Sequence, residues 1–202
     1  MRLTRTQAKE ANRRALLDAA CGLVATEGAS VSLEAIAAAA DLTTGAIYSI
    51  FGSKSRLLVA VLAEEISRVD VSLNPIHDPA LRLDEVIDRY VAAWLETYSD
   101  YSKAQTAFEL QVLLFALEDE SLRRQLAEIL EIELHQLVPL LENRVLDPSR
   151  PERRTTADES LAIAKAMKAV LTGFGLRQVV MDETSDVVRN TCRALATLVA
   201  QA

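Results

Sequence analysis

Residues 28–54 read GASVSLEAIAAAADLTTGAIYSIFGSK, and the fold turns on them. Gly28 supplies the left-handed residue with which a preceding helix ends. Ser32 has the chemistry of an N-cap, and Glu34 stands where a helix dipole favours an acid, so a short helix is predicted over 33–40. Asp41-Leu42-Thr43 is a tight break, and Asp tolerates the left-handed conformation better than most side chains. Thr43 caps a second short helix, 44–50, which Phe51-Gly52 ends, and Ser53 caps a long helix over 54–71. Ile36, Ala37 and Ala40 give the first short helix an apolar face. Leu42 plugs the turn, and Ile47, Ile50 and Phe51 anchor the second. The small residues Ala37, Ala38, Gly45 and Ala46 let the two helices cross closely.

This is the logic of a helix-turn-helix, whose second helix enters the DNA major groove N-terminus first. Apolar periodicity by itself fits an ordinary helical hairpin equally well. Working outward, 7–27 reads as one helix with Leu16, Ala19, Ala20, Leu23 and Val24 on a stripe. Asn74-Pro75-Ile76-His77-Asp78-Pro79 is the clearest break. Amphipathic helices follow over 81–99, 102–117 and 120–143, the last with Pro139 inside it and a kink expected near His135. Asp147-Pro148-Ser149-Arg150-Pro151 reads as a second linker before helices 156–181 and 185–200. The chain is therefore expected to be all-α, with about nine helices.

Arg14-Ala15-Leu16-Leu17-Asp18-Ala19-Ala20, then 30–37 and 40–54, resemble the DNA-binding domain of the tetracycline-repressor (TetR) family. The match covers about the first 60 residues, and beyond it the likeness rests on helix count and on residues 171–176. The resemblance implies a three-helix DNA-binding domain over 1–58, followed by a larger helical ligand-binding and dimerisation domain over 59–202. It implies that Tyr48 contacts the sugar-phosphate backbone and Lys54 a phosphate. The hydroxyls of Thr43 and Thr44 reach phosphate or base edges, Gly45 lets the backbone approach, and Ala46 and Ser49 share the helix. The resemblance also implies that Ser32 offers the start of the preceding short helix, 33–40, to a phosphate.

Two residues depart from the family pattern. Asp41 stands where a glycine is usual, and Ile50 where an aromatic or histidine is usual, which removes one backbone contact. The recognition helix carries no Arg, Lys, Asn or Gln, so bidentate base readout is missing from it. Arg2 and Arg5 in a flexible arm are expected to supply part of the affinity, with a disordered tail as the equal alternative.

Charge follows the same division. Through residue 58 seven Lys/Arg stand against five acids, and beyond it fifteen against twenty-four, within a net charge of −7. A basic end on an acidic body suits a protein that meets a polyanion at one end only. No apolar run reaches the roughly 18 residues that span a bilayer. The basic start lacks the apolar stretch of a secretory signal. A cytoplasmic protein with no membrane partner is expected. Cys21 and Cys192 read as reduced and structural, a thiol sensor being the sharper alternative. Two distant His and no Cys pair at ligand spacing give no metal site, and no cofactor or catalytic constellation is found, so an enzyme is not expected.

In the body, an aromatic stripe at helical spacing is first of all core. The resemblance implies a small-molecule pocket here, with Trp94, Tyr98, Phe108, Gln111, Phe115 and His135 as its lining and a small, largely apolar effector as its occupant. Ala166, Val170, Gly173 and Phe174 on one helix, with Leu195 and Leu198 on the next, read as a homodimer interface or as an internal hairpin. Two-fold pairing places two recognition helices about 34 Å apart on a near-palindromic double-stranded operator, which favours the dimer. The expectation is a ligand-responsive repressor. The alternative is a helical small-molecule binder or enzyme that no longer binds DNA.

Overall fold

The computed structural model describes residues 4–71, 76–99, 103–178 and 185–199, with side chains for 4–66, 76–96, 106–178 and 186–198. These hold nine α-helices and one small antiparallel sheet. The helices are α1 (Arg5–Glu27), α2 (Leu33–Ala39), α3 (Thr44–Phe51), α4 (Lys54–Val71), α5 (Leu83–Ser99), α6 (Lys103–Glu118), α7 (Glu120–Leu141), α8 (Ala157–Gln178) and α9 (Ser185–Val199). The strands are β1 (Val145–Asp147) and β2 (Arg150–Arg154). The all-α expectation holds, with a hairpin where a linker was expected.

Local chemistry places the helix ends. Thr4 and Gln7 form a reciprocal capping box at the start of α1, Gln7 N–H donating to Thr4 Oγ1 at 3.2 Å and Thr4 N–H to Gln7 Oε1 at 2.9 Å. Arg5 is therefore the first residue of a capped helix, which corrects the expectation of a flexible arm there. Arg2 lies outside the described residues. Gly28 (φ 64°) closes α1, and Asp41 (φ 53°) takes the left-handed turn expected of it. α7 continues through Pro139 to Leu141.

The chain forms two compact units, each made of two segments: residues 1–67 with 101–129, and 68–100 with 130–202. In unit 1, Leu16, Leu17, Ala20 and Val24 of α1 share one core with Ile36, Ile47, Leu57, Leu58 and Val61. That core also holds Phe108 and Val112 of α6 and Leu122 and Leu126 of α7. Unit 1 therefore extends beyond residue 58, because the apolar face of α1 is covered by helices from much later in the chain.

In unit 2, α5, the end of α7, α8 and α9 pack Val86, Tyr90, Trp94, Leu137, Leu140, Ile163, Met167, Phe174 and Cys192 together. Arg144, just after α7, is buried. Its guanidinium donates to the carbonyls of Leu140 (2.8 Å), Asp78 (2.5 Å), Leu81 (3.2 Å) and Ile76 (3.5 Å). Burial pulls its pKa below the usual arginine value, while Asp78 acts the other way. The hairpin turns on Asp147, whose Oδ1 accepts from Ser149 N–H at 2.8 Å and from Ser149 O–H at 2.7 Å. Lys168 of α8 pairs with Glu133 of α7 and donates to Tyr90 Oη of α5 at 3.4 Å.

Candidate nucleic-acid interface

α2 and α3 are short, and each is held by one cap and a few buried side chains. Ser32 Oγ accepts from Ala35 N–H at 3.0 Å, and Thr43 Oγ1 from Ala46 N–H at 3.3 Å. Each hydroxyl thereby spends a lone pair on its own helix and keeps its O–H to donate outward, as a phosphate oxygen requires. Ile36 and Ala37 are the buried face of α2, and Ile47 and Phe51 that of α3.

The opposite face of α3 stands open. Gly45, Tyr48 and Ser49 are exposed at helical spacing, Tyr48 by 57%. Thr44 and Ala46 flank them, half-buried. A Cβ built on Gly45 meets only Thr43 Oγ1, at 3.6 Å, an ordinary contact. The free chain thus has room for a methyl there. Ile50 is half-buried against the unit 1 core, so it packs where the family pattern has a polar or aromatic group.

Lys54 opens α4, whose first turn Ser53 caps by accepting from Arg56 N–H at 3.2 Å. Two cations that the sequence reading left unassigned border the site. The Arg13 guanidinium carbon lies 5.6 Å from the Phe51 ring centroid. Arg56 donates to Ser121 Oγ at 3.2 Å. Neither arrangement was visible in the sequence, since each joins residues far apart in it.

Residues 16–61 match the family model described as bacterial regulatory proteins, tetR family. The HTH-type transcriptional repressor KstR of Rhodococcus jostii (strain RHA1) is 38% identical over 66 residues, 32% of this chain and 31% of KstR. This chain therefore spans about a third of the length of that relative. The HTH-type transcriptional regulator BetI of Rhizobium meliloti (strain 1021) is 24% identical over 181 residues, 82% of this chain and 77% of BetI. Residues 16–61 are thus similar to the DNA-binding domain of TetR-family regulators. Among solved structures, the multidrug binding protein EbrR complexed with proflavin superposes with a TM-score of 0.60 at 25% identity, over 91% of this chain and 99% of EbrR.

The remaining predicted site residues fall in different places. Of the six predicted pocket residues, Phe108 is fully buried in the unit 1 core and Phe115 packs beside it. Gln111 lines a small unit 1 cavity of about 300 Å³ with Ala107 and the segment 27–30. Trp94 belongs to unit 2, where its ring meets Phe174 edge-on at 6.2 Å between centroids. His135 is exposed, its Nδ1 2.7 Å from the Glu131 carbonyl oxygen, so the imidazole is turned back on its own helix. The Tyr98 side chain lies outside the described residues. Unit 2 also holds a cleft of about 770 Å³ between the hairpin, the start of α5 and the end of α9, lined by Leu83, Ile87, Leu146, Arg150, Arg193 and Ala196. None of the six lines it.

Of the predicted interface residues, Ala166, Val170, Gly173 and Leu195 are half-buried in the single chain and Leu198 is 62% exposed. A Cβ on Gly173 meets nothing within 4 Å. Phe174 is buried against Trp94 and serves the core of its own chain. Cys192 is fully buried, and burial pushes its thiol up to about 11, which leaves almost no thiolate at neutral pH and disfavours the sensor alternative. Among the described residues no group of three or more His, Cys, Asp or Glu is placed to hold a metal ion.

Proposed function

We propose that this regulator is a homodimeric, sequence-specific DNA-binding repressor released from its operator by a small molecule. The observation that carries the DNA-binding part is the open face of α3. Gly45, Tyr48 and Ser49 stand outward while Ile47 and Phe51 fasten the helix from behind. On this reading α3 enters the major groove with Thr43 and Thr44 leading. Tyr48 and Lys54 hold the sugar-phosphate backbone, and Ser32 presents the start of α2 to a phosphate.

One such head makes few contacts, and a two-fold pair repeats it one DNA turn away. The exposed Leu198 on α9 and the open space over Gly173 on α8 support these helices as the pairing face. The likeness to EbrR, a multidrug binding protein seen with proflavin, supports a small-molecule effector. The effector acts by binding two spacings of the heads unequally, and a coupling of about 1–3 kcal/mol is typical of such switches. The protein acts where the DNA is, in the cytoplasm.

The test is a gel-shift titration against DNA flanking the protein's own gene, followed by selection from random duplexes. A saturable shift that resists competitor DNA is expected. Failure in both experiments overturns the reading in favour of a helical small-molecule binder or enzyme without DNA function.

A further inference from the structure

We propose that α1 carries a second DNA-contacting surface, a stripe of Arg5, Lys9 and Arg13 that grips phosphates beside the recognition helix. The proposal rests on the DNA-binding reading above and concerns residues outside the helix-turn-helix. Three observations carry it.

The first is placement. Residues four apart lie on one face of a helix, about 6 Å apart along its axis, so the three cations form a row about 12 Å long. All three are exposed, and the row continues towards the N-terminus the same helical stripe that further along buries Leu16, Leu17, Ala20 and Val24, so it leads out of the unit 1 core. The capping box at Thr4 and Gln7 holds Arg5 in the first turn, so the row is built on a helix from its first member.

The second is the state of the charges. Arg14, one residue along, reaches Asp18 at 3.3 Å and Glu64 at 3.0 Å, and these acids raise its pKa, Glu64 most. Arg5, Lys9 and Arg13 make no ion pair among the described residues. Glu10 is the single acid in α1 before Asp18. Neighbouring cations on one helix thus divide into one tied inside the unit and three left for an external anion.

The third is the link to the reading head. Arg13 lies over the Phe51 ring, three residues and just under one helical turn beyond Tyr48. A guanidinium stacked on a ring keeps its N–H edge free for phosphate oxygens. The row therefore ends at the C-terminal turn of α3, the helix that itself carries no cation. Phosphate contacts set affinity and register without reading sequence, so a head with a cation-free recognition helix gains what it lacks.

The test is the salt dependence of binding to a labelled duplex, read by fluorescence anisotropy. The Arg5→Gln/Lys9→Gln variant is compared with wild type and with Arg123→Gln/Arg124→Gln. The latter removes the same charge from exposed positions of α7 in the same unit. Each phosphate contact contributes about 0.9 to the slope of log affinity against log salt. The α1 variant is expected to lose close to two units of slope and to bind roughly ten- to a hundredfold more weakly at moderate salt, with unchanged helix content and melting midpoint. The α7 variant is expected to keep the wild-type slope. Equal slopes in all three proteins overturn the stripe and leave the DNA-binding reading standing. Equal losses in both variants also overturn it, in favour of net charge. A wild type that binds no duplex overturns the reading and the stripe together.

Discussion

In unit 1 the described buried residues are apolar except Thr106, and the charged residues are exposed or half-buried. In unit 2 a guanidinium, Thr155 and Ser160 lie inside, with the Lys168 ammonium nearly so. Apolar packing is non-directional, so unit 1 can spend its surface cations on an outside partner. The polar contacts of unit 2 are directional, and a buried group that loses its partner pays full desolvation. One unit presents charge and the other encloses it.

The largest expected effect breaks or confirms the make-up of unit 1. Phe108→Ala removes a fully buried ring of α6 from the core that holds α1. A loss of about 3–5 kcal/mol is expected, with reduced amide protection along α1 in hydrogen exchange. Protection lost only in unit 2 would show that α6 does not support the reading head.

Arg144→Met tests the enclosed charge. It leaves four carbonyls without their donor, and a loss of about 2–4 kcal/mol in urea unfolding is expected. Arg144→Lys is expected to recover little, because one ammonium cannot span four carbonyls fanned around a planar guanidinium. Full recovery would mean that charge alone matters at this site.

The pair Lys168 and Glu133 sharpens the same point. Burial disfavours the Lys168 ammonium, but Tyr90 and Glu133 outweigh it and hold the pKa above the usual lysine value. Glu133→Gln strands that ammonium and is expected to cost about 1–3 kcal/mol, while Lys168→Met with Glu133→Leu is expected to lie near wild type. A double variant less stable than either single one would make the pair itself a stabilising element.

On the presenting side, Tyr48→Ala is expected to weaken DNA binding about tenfold, which is about 1.4 kcal/mol, and to leave the melting midpoint unchanged. A fall in stability would make Tyr48 a packing residue despite its exposure.

The smallest effect is acid-dependent. Arg153, and then the Thr156 backbone and hydroxyl, hold the Glu159 carboxyl at about 2, below its ordinary 4.5. A depressed carboxyl pKa contributes stability that is present above pH 4.5 and lost as the pH falls through about 2. Wild type is expected to lose about 1 kcal/mol more than Glu159→Gln across that window. Parallel acid titrations of the two proteins would show that the contact contributes nothing.

Much of the fold was legible. The caps Ser32, Thr43 and Ser53, the left-handed Gly28 and Asp41, and the spacing of Ile47 and Phe51 act within a few residues of themselves. Their chemistry reads from the string, and the helix bounds follow within a few residues. The hairpin was not legible, because Arg-Pro-Glu-Arg-Arg has no apolar alternation and Pro148 and Pro151 signal a linker. The exposed row on α1 was missed because Arg5 was assigned to an arm, although Thr4 and Gln7 carried the capping box that makes it helical.

The sequence by itself determined the helices, their ends and the helix-turn-helix, because caps and periodic stripes are local interactions. Only the tertiary structure decided that α6 and the start of α7 complete the core around α1, that Arg13 meets Phe51, and that Arg144 gathers carbonyls as far as 68 residues away. Those contacts join segments whose spacing in the chain carries no periodic signal. An apolar residue on a helix states that it will be buried, and only the packed molecule states against what.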